Sequence, residues 1–451
     1  MRNFFVSQEI YILSLYLAVM SILPGIAYIA VGNLLFLILI KGKEWYLKSI
    51  MYMVLLKFLN PIFTDINTNI FYIFIFILFI ILVIKIVKQK DIYINKFELY
   101  FYTLLLIFTL TSIIGSLYLD LSLIKLSMYS IVVFTVFQAI KYGENYDFIK
   151  FLIILIYLFV WVSFILIFIP YGYFINGLFM GVFQHSQTIG VILVPLLTLL
   201  IVLYFSNKLQ HNLINILTIF LGLFELYLSG SRTAIFSILL PLLIYFSIYH
   251  FFRFTYSKKN IIIILIILFT SITVYSLNSS KINNGIKSFI IKSATEKTVQ
   301  YNGFGNLLSK RLILIETAKE NFLNNFWTGI GFNVQTVYAD PRDASLNKIK
   351  YIPGTDIIYN KPLEKGNLYY SVFEEGGVLT GVFFIYILFY LLYSLFKSNI
   401  TYAWVMLLSM FISFNGEAAL FSSGGLGIYQ LIVMIILFAS IKNKVILEKG
   451  R

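Results

Sequence analysis

A few residues in this sequence have side chains suited to chemistry, and they border one long polar interval. Arg232 stands in the turn Leu228-Ser229-Gly230-Ser231-Arg232-Thr233-Ala234 between two apolar segments. Arg311 follows Lys310 at the opening of a helical stretch. A guanidinium, planar with a fork of donors, suits a phosphate oxygen better than an ammonium does. Glu374 and Glu375 begin a later apolar segment, and a carboxylate within hydrogen-bond reach of a hydroxyl can act as its general base. His185, in Phe183-Gln184-His185-Ser186-Gln187, and Asn367, in Gly366-Asn367-Leu368-Tyr369, offer hydrogen bonds to a polar ligand. Gly329 and Gly331, in Thr328-Gly329-Ile330-Gly331-Phe332-Asn333, can turn backbone N–H groups toward an anion, although Gly-x-Gly alone is a weak signal.

Each of these has a plainer reading. A charge at bilayer depth costs ~2.5–3.5 kcal/mol on insertion scales, which makes Arg232 a functional candidate. It is equally a snorkelling arginine at a hairpin tip, or the partner of Glu225, which a continuous helix would place on its face. Arg311 alone reads as a solvated charge, Glu374 and Glu375 as acids complementing a helix macrodipole, and His185 as a hydrogen-bonded structural residue. The loop acids Asp340, Asp343, Asp356 and Glu364 are weaker candidates for a base.

The elements that must position these residues follow from composition. The chain has 451 residues, is 60% hydrophobic and only 12% charged, and its mean hydropathy is +0.90. A soluble surface cannot be built from that composition. The apolar runs match a ~30 Å hydrocarbon core, so the expected fold is an all-α polytopic membrane protein with about 12–14 spans. The runs fall near 8–23, 25–40, 46–60, 69–86, 98–117, 122–140, 149–169, 179–205, 211–228, 233–252, 260–277, 369–396, 401–414 and 425–441. Pro24-Gly25 breaks the first pair, and Lys48 and Lys57 make 46–60 a candidate interfacial helix. Met1-Arg2 and the apolar run behind it read as a first span rather than a cleaved leader.

Several function classes fall away. There is no cysteine, and the three histidines, His185, His211 and His250, are far apart, so no metal centre is expected. No Gly-x-x-x-x-Gly-Lys-Ser/Thr loop is present, so no nucleotide cofactor is expected either. The net charge of +14 belongs to loops that meet anionic lipid, and no basic soluble domain exists for nucleic acid.

Lysine and arginine set the orientation. Lys41, Lys43 and Lys48, then Lys85 to Lys96, Lys208, Arg253 to Lys259, Lys397 and the Lys442–Arg451 tail fall on one side when the spans are threaded. That side is cytoplasmic, and the polar interval 278–366 lies outside. The expected organisation is therefore N-terminal spans over 1–277, an extracytoplasmic loop over 278–366 with short helices, and C-terminal spans over 367–451. Within the loop, spacing predicts a helix from Lys310 to Phe322, capped by Ser309 and ending near Asn324-Asn325.

Taken in order, these motifs resemble the O-antigen polymerase and O-antigen ligase superfamily. The resemblance rests on Ser-Gly-Ser-Arg-Thr-Ala at a hairpin, on Arg311, and on Phe326-Trp327-Thr328-Gly329-Ile330-Gly331-Phe332. Asn367-Leu368-Tyr369 leading into Glu375-x-Gly377 completes it, over roughly residues 180 to 400. It implies a metal- and nucleotide-independent glycosyltransferase of the bacterial inner membrane, working at the periplasmic face. The implied donor is an undecaprenyl-diphosphate-linked glycan whose diphosphate Arg232 and Arg311 bind. A chain-length regulator and a flippase are the implied partners, in O-antigen (lipopolysaccharide), capsule or another polysaccharide biosynthesis. Ligases carry a histidine just before Asn-Leu-Tyr, where this chain has Gly366. That departure favours a polymerase, with Glu374 or Glu375 as base. A lipid-linked oligosaccharide flippase is the rival of another class, and buried mid-span charge would favour it.

Overall fold

The computed structural model describes residues 34–35, 37–38, 43–60, 68–89, 94–143, 147–173, 177–209, 212–253, 305–334, 350–351, 358–359, 367–416, 420–422 and 425–449. The chain is an all-α polytopic membrane protein. Its helices are α1 (Trp45–Lys57), α2 (Thr68–Gln89), α3 (Lys96–Gly115), α4 (Leu119–Tyr142), α5 (Phe148–Leu166), α6 (Ser186–Phe205), α7 (Leu213–Leu228), α8 (Arg232–Arg253), α9 (Gly305–Asn324), α10 (Leu368–Lys397), α11 (Thr401–Ser413) and α12 (Gly427–Lys449). Two short strands, β1 (Lys350–Tyr351) and β2 (Ile358–Tyr359), pair antiparallel with each other. Among the described residues, α2, α3, α4, α5, α6 and α10 are long and apolar enough to cross a membrane, and α7, α8, α11 and α12 are shorter apolar helices. The expected segments 8–23 and 260–277 and most of 25–40 lie outside the described residues.

Met1–Leu242 with Ala318–Arg451 forms one compact unit, and Leu243–Thr317 forms a second. In the first unit, α6 is buried along nearly its whole length and packs against α5, α7 and most extensively α11. α10 lies along α3, and α2 along α4. The lipid face is explicit on α10, where Leu379, Val382, Tyr386, Phe389, Tyr393 and Phe396 are exposed at helical spacing. So much contiguous apolar surface suits hydrocarbon and not water.

Helix starts follow local chemistry. Asn95 caps α3 in a reciprocal box with Glu98, Asn212 caps α7 through the Asn215 N–H, and Asp147 caps α5 through the Lys150 N–H. α1 differs from expectation. Every residue from Trp45 to Leu56 is buried, against α2, α4 and α12, so this helix is a core element and not one lying at the interface. Its 13 residues rise only ~20 Å, too short to cross. α9 begins at Gly305, earlier than the expected Lys310, and ends at Asn324 as the pattern indicates. No proline lies between Gly305 and Lys310 to break the helix there.

Candidate functional site

The densest polar construction of the first unit is a break in α10. Gly377 has φ 71° and ψ −172°, outside the helical region. Its missing Cβ leaves room for the Trp327 carbonyl, with which any side chain at this position would collide. The break frees backbone groups of α10, and the segment from Phe326 to Val334 takes them up. The Val378 N–H donates to the Phe326 carbonyl at 2.8 Å. In return the Ile330 and Gly331 N–H groups donate to the carbonyls of Glu374 and Glu375, at 2.8 and 3.0 Å. The hydrogen-bond account therefore closes across two segments rather than within one helix.

Side chains complete this docking. Asn321 of α9 donates to Glu374 Oε1 at 2.7 Å, and the Asn333 N–H donates to Glu375 Oε2 at 2.7 Å. Both carboxylates are buried. From the other side, the α3–α4 hairpin grips the same segment. The Phe332 N–H donates to Ser122 Oγ at 2.8 Å and to Ser112 Oγ at 3.1 Å. The Leu117 N–H donates to the Ile330 carbonyl at 3.0 Å, and Lys125 Nζ to the Asn333 carbonyl at 2.7 Å. The Phe332 ring is fully buried among Phe108, Tyr129 and Phe421.

Four of the expected site residues therefore meet here: Glu374, Glu375, Gly329 and Gly331. The N–H groups of Gly329, Ile330 and Gly331 all donate to carbonyls of the protein, Gly329 to that of Asn325 at 2.8 Å. Gly329 and Gly331 both have positive φ, and a Cβ on Gly329 would meet the Glu375 carbonyl carbon. These glycines let two backbones approach closely.

Arg232, His185 and Asn367 belong to a second neighbourhood at the same end of the helices. Arg232 is the first residue of α8 and is half-buried. On one side of it, Ser231 and Ala234 lie against Gly190 of α6, the helix that His185 caps by accepting the Gln187 N–H at Nδ1, 3.2 Å. On the other, Thr233 lies against Gly416 at the end of α11. Asn367 caps α10 by accepting the Tyr369 and Tyr370 N–H groups at 2.9 and 3.2 Å, and its amide N–H faces Asn415 at 3.4 Å. Asn367 and Glu374 share α10 two turns apart, ~10 Å along its axis. Arg311 is placed on α9, and its side chain lies outside the described residues, as do Gly366 and the loop acids Asp340, Asp343, Asp356 and Glu364.

The alternative partner of Arg232 is not engaged with it. Glu225 is fully buried on the face of α7 that carries Asn215, Thr218 and Gly222, and neither of its carboxyl oxygens has a hydrogen-bond partner among the described residues. The turn at Ser229–Ser231 separates α7 from α8, so the two residues do not share a helix. Farther along the same face, Thr218 accepts from Trp161 at 3.1 Å and Asn215 bonds Tyr157. Lys125, Ser112, Ser122, Asn321 and Asn333 escape a reading of the sequence. Their one signal is Lys125, a basic residue near the end of a span whose connection is otherwise free of lysine and arginine.

No curated protein matches the chain significantly. Residues 217–385 match the family described as O-Antigen ligase, a stretch that contains Arg232, Arg311, Gly329, Gly331, Asn367, Glu374 and Glu375. Over that stretch the chain is thus similar to the O-antigen ligase family, the same superfamily that its motifs resemble.

Proposed function

We propose that the protein polymerises lipid-linked polysaccharide repeats at the outer face of the bacterial inner membrane. It transfers an undecaprenyl-diphosphate-linked glycan onto a sugar of another lipid-linked repeat. Family members are glycosyltransferase-like enzymes acting on lipid-linked oligosaccharides, and this reading narrows that activity. The observation that carries it is the placement of Arg232. A half-buried guanidinium opens a helix between the capped end of α6 and the end of α11, beside the amide pair of Asn367 and Asn415.

In the transfer, an acceptor hydroxyl oxygen bonds to the anomeric carbon as the carbon–oxygen bond to the diphosphate breaks. The departing diphosphate keeps the bonding electron pair and takes up the hydroxyl proton. Arg232 and Arg311 stabilise the charge that develops on it, which fixed donors do best in a site poor in water. Asn367 and His185 bind at the same end. Glu374 and Glu375, buried and each accepting a hydrogen bond, serve this reading as positioning residues for the segment Phe326–Val334 rather than as the base. The glycine at position 366, where ligases carry a histidine, supports a polymerase over a ligase.

A flippase is the second reading, and Glu225 favours it: a buried carboxyl group without a partner is what a transport pathway would use. The test is Arg311→Ala in the native cell. A polymerase so altered leaves single-repeat glycans on the surface with translocation intact. An unaltered chain-length ladder overturns the assignment.

A further inference from the structure

Asn333 is held by both ends of its backbone. Its N–H donates to the Glu375 carboxylate at 2.7 Å and its carbonyl accepts from the Lys125 ammonium at 2.7 Å. Both bonds are charge-assisted, the stronger kind. They come from helices α10 and α4, so the residue is fixed from two directions. Its φ is 54°, in the left-handed region that non-glycine residues seldom enter. Among the described residues two other non-glycine residues share that sign, Asn207 and Asn399, and both sit just beyond a helix end, a common place for it. Asn333 is instead the third residue of the turn that the Val334 N–H closes on the Gly331 carbonyl at 3.3 Å, where glycine or asparagine is usual.

Glycine would hold this backbone more easily, and the chain uses glycine two and four residues earlier, at Gly331 and Gly329. A side chain is nevertheless kept at position 333. Its neighbours Phe332 and Val334 are buried, but Asn333 is half-exposed, and its carboxamide makes no hydrogen bond among the described residues. An acceptor and a donor are thus presented together on a fixed frame. The same docked segment carries Trp327, 66% exposed, next to the exposed Phe326, so that it offers a wide apolar plane.

From this geometry we infer that Asn333 contacts substrate and reads a pair of hydroxyls on a sugar of the lipid-linked glycan, with Glu375 and Lys125 as its positioning residues. A carboxamide matches adjacent hydroxyls because it donates and accepts side by side. The frame pairs one carboxylate, Glu375, with one ammonium, Lys125, so it carries no net charge that would draw a phosphate in preference to neutral hydroxyls. This inference rests on the proposed transfer reaction and adds to it a residue that selects the sugar.

The test uses purified full-length protein in lipid nanodiscs and, as substrate, the lipid-linked oligosaccharide extracted from a strain deleted for this gene. Asn333→Gly keeps the backbone conformation and removes the carboxamide. Asn333→Asp keeps the size and removes the donor. Asn333→Gly should retain the wild-type melting temperature and lose about tenfold in kcat/KM, mostly through KM, the loss expected for two neutral hydrogen bonds, and Asn333→Asp, which keeps the acceptor, should raise KM as well. Glu375→Gln should raise KM in the wild-type background and add nothing in the Asn333→Gly background. Wild-type turnover by Asn333→Gly would overturn the inference, as would an equal penalty of Glu375→Gln in both backgrounds. Arg232→Ala separates the two claims. If it is inactive while Asn333→Gly is unimpaired, the transfer reading stands and this inference fails. If Arg232→Ala is fully active, the transfer reading itself fails.

Discussion

Replacing Gly377 by alanine tests whether the break in α10 is built for the docked segment. Two costs apply. The backbone at φ 71° and ψ −172° lies where glycine is nearly alone, and a residue forced there stores ~1–3 kcal/mol. The new Cβ would also collide with the Trp327 carbonyl and come within 2.7 Å of the Thr328 nitrogen. The segment must then retreat, weakening the bonds made by the Val378, Ile330 and Gly331 N–H groups, each worth ~1 kcal/mol net. Together these amount to about 4 kcal/mol or more. Gly177→Ala is the matched control, because Gly177 has φ 76° but, among the described residues, no atom within 4 Å of the added Cβ. It should cost only the backbone strain, ~1–2 kcal/mol. Thermal melts of the two variants in the same nanodisc should show Gly377→Ala shifted at least twice as far. Limited proteolysis should find new cleavage between Phe326 and Val334 in Gly377→Ala alone. Equal shifts with no new cleavage would refute the docking as described.

Other substitutions probe neighbouring parts. Glu225→Gln replaces a buried carboxyl group without a partner by an amide of the same shape, so the melting temperature should hold or rise; a loss above about 2 kcal/mol would mean that Glu225 is paired. Ser122→Ala should cost ~1 kcal/mol, because Ser112 still accepts the Phe332 N–H, whereas the double variant Ser112→Ala, Ser122→Ala strands a buried donor and should cost clearly more than twice the single change. Strictly additive values in chemical denaturation would contradict the shared acceptor. Arg232→Lys keeps the charge and loses the fork of donors, so it should retain partial chain growth where Arg232→Ala retains none. Equal ladders on a glycan gel would remove Arg232 from the site.

Much of this architecture was readable from residue type alone. Span positions such as 69–86 and 369–396 fall within α2 and α10, because a hydrocarbon core admits only long apolar helices. The exceptions have local causes. The expected segment 179–205 starts as a helix only at Ser186, since Gly181 takes a positive φ and His185 caps the helix. α1 escaped because hydropathy cannot distinguish a short buried helix from an interfacial one. At the site, Gly329, Gly331, Glu374 and Glu375 stood out as motifs, but their common location did not. That depends on Gly377 breaking α10, and on Ser112, Ser122 and Lys125 of another hairpin, distant in sequence and ordinary in type. Glu225 carries the same lesson. Spacing on a continuous helix put it beside Arg232, and a turn of Ser-Gly-Ser intervenes.

The central claim is that a guanidinium at the start of α8 serves glycan transfer. It is tested most directly by reconstituting the purified protein with the extracted lipid-linked oligosaccharide, without nucleotide, and separating the glycans by length. The account predicts a ladder of two and more repeats from the wild type and single repeats alone from Arg232→Ala at equal protein. Single repeats alone from the wild type, accompanied by passage of the lipid-linked oligosaccharide across the bilayer, would contradict it and assign the chain to transport.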